Sequence, residues 1–225
     1  MRKLLFGLLA ATLAIGGAFA QEKKPEDPKK PEEPKKVDPA PAPAPAPAGT
    51  ATDYYPLAKG SKWTYTMGST EVVVKVTDVD PKDGSAKLVT EHGGKAVASE
   101  TISVKADGVY RTKINDTAIS DGGVKILGLK DGKATKGDKW DVKAKVQTSE
   151  VAGSFETKDI TPKVTIGGKD YTDVVYVEGP KFTIAGTDTA VKYWFSPKVG
   201  IIKLSYSISG TESTPLELKS FEAGK

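Results

Sequence analysis

The residues able to do chemistry in this chain are few. His92 is its single histidine and there is no cysteine, so neither a thiolate nucleophile nor a multi-histidine metal site can be assembled. His92 precedes Gly93-Gly94, a hairpin-tip pattern that predicts a solvated side chain rather than a general base. Asp78, Asp80 and Asp83 alternate like the opening of a calcium loop, yet position 89 is Val89 and the nearest glutamate is Glu91, out of register. The segment Asp80-Pro81-Lys82-Asp83-Gly84 therefore reads as a hairpin turn. Asp170 and Asp173 could supply paired carboxylates, but they flank an expected strand start and should point to opposite faces. Asn115-Asp116-Thr117 matches a glycosylation acceptor, a signal too short to carry an argument. The sequence predicts no catalytic residue, no metal and no cofactor.

What remains is the chemistry of aromatic surfaces. Trp63, Tyr65, Trp140, Tyr193, Phe195 and Tyr206, with Ile202 and Leu204, are expected on one concave face. For any one of them the plainer role is core, because aromatics dominate ordinary interiors. Together they are also the candidate lining of a groove for an apolar ligand such as an acyl chain.

The elements that must hold these side chains are strands. Trp140, Val142, Ala144 and Val146 alternate with Lys139, Asp141, Lys143 and Lys145; Ile202, Leu204, Tyr206 and Ile208 alternate with Lys203, Ser205 and Ser207; Val72, Val74 and Val76 share a face. Val174-Val175-Tyr176-Val177 is apolar on both faces and predicts a central strand. Asp/Gly punctuation at 83–84, 93–94, 107–108, 121–123, 131–132 and 167–168 separates the runs. No stretch of the domain has a convincing helical period. The fold class predicted is all-β, a curved antiparallel sheet closing as a half-barrel, barrel or sandwich. One echo runs through it: Ala58-Lys59-Gly60-Ser61-Lys62-Trp63 recurs 77 residues later as Thr135-Lys136-Gly137-Asp138-Lys139-Trp140. It reads either as one common turn solution met twice by chance or, the reading favoured, as two similar sheet halves, each opened by a K-G-x-K-W turn, with their tryptophan faces packed together.

Before the domain come two address labels. Arg2 and Lys3, the apolar run Leu4–Ile15 and Ala18-Phe19-Ala20 form a signal peptide over residues 1–20, with cleavage expected near Ala20. Residues 21–52 form a spacer. Pro25, Pro28, Pro31 and Pro34 recur every three residues, matching polyproline II, and Pro39–Ala48 alternates proline with alanine. Its 32 residues would reach about 100 Å if extended at ~3.1 Å each. A single domain of about 173 residues follows, from 53 to 225. The mature chain is expected to be exported, periplasmic or extracellular, with no membrane-spanning segment and no lipid-modified N-terminal cysteine.

Charge narrows the partners. Taking Arg2, Lys3 and six spacer lysines from 33 basic residues leaves 25, and taking six spacer acids from 29 leaves 23. The domain is near neutral, and Arg111 is its single arginine. Bidentate reading of phosphates favours arginine, so a nucleic-acid partner is not expected.

Two motifs carry a resemblance. The opening Tyr54-Tyr55-Pro56-Leu57 with Gly60, Trp63 and Tyr65, and the ending Tyr193-Trp194-Phe195-Ser196-Pro197-Lys198-Val199-Gly200-Ile201-Ile202-Lys203 followed by Leu216-Glu217-Leu218, resemble secreted bacterial β-rich domains of unassigned function. The chain is loosely similar to TapB-like extracytoplasmic domains. The resemblance implies a curved antiparallel sheet and an envelope location, and it carries no catalytic residues. On these grounds the sequence predicts a non-catalytic binding or interaction module in the cell envelope, for a lipid-like or apolar ligand. The alternatives are a structural adaptor recruiting a protein through sheet edges and, with less support, a carboxylate hydrolase.

Overall fold

A computed structural model describes residues 51–225; the expected signal peptide and most of the spacer lie outside the described residues. The described residues form fourteen strands in two runs of seven. The first is β1 (Lys62–Met67), β2 (Thr70–Val79), β3 (Ala86–His92), β4 (Lys95–Lys105), β5 (Gly108–Ile114), β6 (Thr117–Ala118) and β7 (Val124–Gly128). The second is β8 (Lys139–Val146), β9 (Ser149–Ile166), β10 (Lys169–Ile184), β11 (Thr187–Ser196), β12 (Gly200–Ile208), β13 (Thr211–Glu212) and β14 (Leu216–Glu222). Among the described residues the one helical element is a 3-10 turn, Ala51–Tyr54.

All pairings are antiparallel, and each strand pairs with the next in sequence except at β6–β7, β7–β8 and β13–β14. The two short strands explain the count. β6 pairs the end of β5 and β7 pairs its beginning, so together they act as one interrupted strand along β5. β13 and β14 do the same beside β12. The result is a twelve-position sheet, nearly closed into a barrel. One seam is a full ladder, with β14 pairing β1 through Trp63↔Phe221 and its neighbours. The other, between β6/β7 and β8, is looser. An Ile119↔Val146 bridge and the hydrogen bonds Ser120 N–H to Lys145 O and Lys145 N–H to Ser120 Oγ hold it at one end.

The sequence echo marks a repeat of architecture. In the first run Ser61 N–H bonds Ala58 O, Gly60 N–H bonds Val76 O and Val76 N–H bonds Ser61 O; in the second, Asp138 N–H bonds Thr135 O, Gly137 N–H bonds Thr157 O and Thr157 N–H bonds Asp138 O. The tryptophans keep the same register, Trp63↔Val74 and Trp140↔Phe155. Later hairpins correspond too: Asn115-Asp116 and Ser209-Gly210 both turn with positive φ, as do Gly93-Gly94 and Ala185-Gly186, the geometry that matches strand twist. The halves are joined edge to edge in one ring. The packing differs from the expected meeting of two tryptophan faces, because Trp63 stacks on Phe221 and Trp140 packs on Phe155. Gly60 and Gly137 have φ of 86° and 89°, and a Cβ would meet open space at 137 and only ordinary contact with Gly224 at 60. Gly60→Ala and Gly137→Ala should therefore each cost about 1–2 kcal/mol, by left-handed strain alone. Urea denaturation showing a cost at one site only would break the equivalence.

Apolar residues of both runs form one buried cluster inside the ring. Val174, Val175 and Val177 are fully buried on β10, between β9 and β11, as two-faced apolarity requires.

Candidate functional site

The concave face holds the six aromatics to unequal depths. Trp63, Tyr65, Tyr193 and Phe195 are buried, whereas Trp140 and Tyr206 are half-buried. Two of the deep rings are pinned by hydrogen bonds. Trp63 Nε1–H donates to Val199 O at 2.5 Å, and Tyr65 O–H donates to Ile201 O at 2.8 Å. Tyr206 lies on the core face of β12, opposite buried Val191, with its backbone tied to Ser213.

Trp140 sits at the loose seam. Its indole N–H donates to Lys125 O on β7 at 2.9 Å, and its ring lies over Gly128. A Cβ at position 128 would come within 2.7 Å of that ring, so glycine makes the seat possible. From here the rings run inward: Trp140 to Phe155 at 5.8 Å, Phe155 to Tyr193 at 6.0 Å, and Tyr193 to Phe195 at 5.7 Å between centroids. An aromatic row thus connects the seam to the interior.

At the end of that row is a feature the sequence did not advertise. Arg111, the single arginine of the domain, is buried on β5 and donates from Nε to Glu100 Oε2 of β4 at 2.5 Å. Their side chains are only 8% and 16% exposed. Tyr55, Tyr65 and Tyr193 surround the pair electrostatically. Burial alone would lower the Arg111 pKa, but Glu100 and the tyrosines raise it, so the guanidinium stays charged. The signal available in sequence was parity: Arg111 follows Val109 on the inward-facing side of its strand.

Burial pushes the hydroxyls of Tyr55, Tyr65 and Tyr193 above the usual phenol range, and Glu100 pushes in the same direction. Their raised folded-state values mean that the neutral form stabilises the barrel fully below the unfolded phenol value near 10. That contribution is lost as pH rises through the folded values. Ultraviolet titration should show the half-buried Tyr110, Tyr171, Tyr176 and Tyr206 ionising first, with the three around Arg111 following only in an unfolding step. Smooth, reversible ionisation of all eight tyrosines of the chain near pH 10 would contradict this.

The polar candidates fall elsewhere. Asp80 Oδ1 accepts from Lys82 N–H and Asp83 Oδ1 from Ser85 N–H, self-capping contacts of a hairpin turn. Asp170 and Asp173 lie inside β10 rather than flanking it, and Asp170 is bound by Lys163 and Thr165. His92 ends β3 half-buried, with Nδ1 buried and lacking a hydrogen-bond partner, so it is less solvated than its hairpin position implied. Among the described residues no group of three His, Asp or Glu is placed to hold a metal ion. Two surface hollows, of about 390 Å³ beside Lys143–Val151 and about 500 Å³ beside Glu71 and His92, contain none of the six aromatics.

An outer row adds one more aromatic pair. Tyr176 stacks on Trp194 at 4.8 Å, and Lys203 lies over the Trp194 ring. With Asp159 and Glu217 at its ends in register, this is a cross-strand ladder that pins β9 to β14. Burial and Glu178 push the Tyr176 hydroxyl up to about 12.

No family model matches the sequence, and no curated protein matches it. Two solved structures are similar in shape. A proposed lipoprotein of Parabacteroides distasonis shares 12% identity and a TM-score of 0.49, over 75% of this chain and 98% of its own. A proposed exported protein of Bacteroides fragilis with a YmcC-like fold shares 13% identity and a TM-score of 0.49, over 73% of this chain and 96% of its own. Neither bears on the TapB-like resemblance. No helix among the described residues is long and apolar enough to cross a membrane.

Proposed function

We propose that this chain is an exported envelope β-domain, held on a proline-rich spacer, that acts as a non-catalytic binding module for a lipid-like or apolar ligand. The observation that supports it most is the aromatic row from half-buried Trp140, through Phe155 and Tyr193, to the Arg111–Glu100 pair. A row of rings reaching the least firmly closed part of the wall offers an apolar ligand a continuous surface. The adaptor reading would use the edges that no ladder occupies, along β7 and β8 and along the β9–β10 hairpin over 158–174.

The test is native mass spectrometry of the protein purified from its own envelope fraction, with organic extraction of bound material. The proposal expects a reproducible extra mass that extracts as lipid and disappears in a folded Trp140→Ala variant. A clean apo mass in both proteins would remove the binding reading.

A further inference from the structure

One segment of the barrel belongs to no strand and yet reaches its centre. The 3-10 turn Ala51–Tyr54 touches β4 and β5 on one side and β12 on the other, positions far apart around the ring. It therefore straps across one mouth. Lys198 N–H, in the β11–β12 turn, donates to Asp53 O, and Pro56 lies beside Gly200 and Trp63. Beyond the strap, Tyr55 turns inward. It is 4% exposed, its ring is 5.6 Å from that of Trp63, and its hydroxyl shares the surroundings of Glu100, Arg111, Tyr65 and Tyr193.

We propose that residues 53–57 form a removable stopper, and that the slot Tyr55 fills is a binding site for a neutral amphiphile bearing a hydroxyl head. The inference rests on the binding reading above and adds where the ligand sits and what it must look like. Tyr55 itself shows what fits: an apolar ring against Trp63 with a hydroxyl toward the buried polar groups. Neutrality follows from Arg111 and Glu100 already compensating each other, so a net charge added beside them would be buried without a partner. Removability follows from how the strap is held. No β-ladder ties it: Tyr54 and Tyr55 are held by burial and the backbone of Asp53 by the bond from Lys198 N–H, so release unburies two rings, a cost that a ligand refilling the slot offsets.

The absence of cysteine makes the test clean. In the full mature chain, Asp53→Cys with Lys198→Cys would lock the strap when oxidised and free it when reduced. The probe is 4-octylphenol, with 4-octylbenzoate as its charged counterpart, followed by calorimetry. The reduced form should bind the phenol at least tenfold more tightly than the locked form, and at least tenfold more tightly than it binds the benzoate. Tyr55→Ala, which empties the slot, should bind 4-methylphenol where the parent protein does not. Equal binding by locked and reduced forms, or none by either, would overturn the stopper, and a preference for the benzoate would overturn the ligand class. If envelope lipid still copurifies in those cases, the binding reading survives and only this site fails.

Discussion

Glu100→Ala is expected to destabilise the barrel by about 3–5 kcal/mol, because it leaves the Arg111 guanidinium buried without its counter-charge. A domain of this size has a total stability of roughly 5–15 kcal/mol, so the loss is a large share of it. Arg111→Met should cost less than Glu100→Ala, since Glu100 is the more exposed partner and its carboxylate keeps some contact with water. The double variant Arg111→Met with Glu100→Leu should recover most of the loss. Two apolar side chains of similar volume remove the desolvation problem along with the attraction. Urea denaturation of the four proteins at neutral pH measures this directly. Strictly additive losses would mean that the pair acts as two independent surface charges, and the polar centre assigned to the barrel would go with it. If the double variant is stable, it also separates folding from recognition, because the same pair borders the slot beneath the strap.

That pair shows where sequence reasoning stops. Strands were legible because alternation is a local property: Trp140 to Val146 and Ile202 to Ile208 fall on β8 and β12, and the two-faced run at Val174 falls between two neighbours. The K-G-x-K-W echo was legible for the same reason, since the turn that sets each tryptophan is written in six adjacent residues. Closure was not. It depends on Trp63 meeting Phe221 and Ile119 meeting Val146, contacts between segments whose own patterns say nothing of each other. Arg111 stands out in the sequence as the domain's single arginine, but its burial does not, although its place after Val109 puts it on the inward side. Tyr54 and Tyr55 were visible as an opening motif. That one of them is inserted into the barrel follows only from the strap lying across the mouth, which no periodicity encodes. All six aromatics lie in or pack against the one buried cluster, but their depths were not legible, because depth depends on where each falls along its strand and on the seam it borders.

Those depths lead to a second large effect. Trp63→Ala should cost about 3–5 kcal/mol, since it empties a fully enclosed site and strands the Val199 carbonyl that its indole N–H satisfies. Trp140→Ala, at the equivalent position of the second run, should cost only about 1–3 kcal/mol. Its ring is half-buried, and Gly128 beneath it leaves room for the wall to relax. Two residues with the same turn, the same register and the same role at a strand start would then differ because their seams differ. Trp63 is sealed by the β14–β1 ladder, whereas Trp140 borders the stretch of β7 and β8 that no ladder joins among the described residues. Thermal unfolding of both variants decides it. Equal losses would mean that the seam at Trp140 is as tightly closed as the other, and an apolar ligand would have no entry along the aromatic row. The predicted asymmetry would instead make Trp140 the half-barrel's spare copy of a core residue, free to trade packing for contact with a ligand.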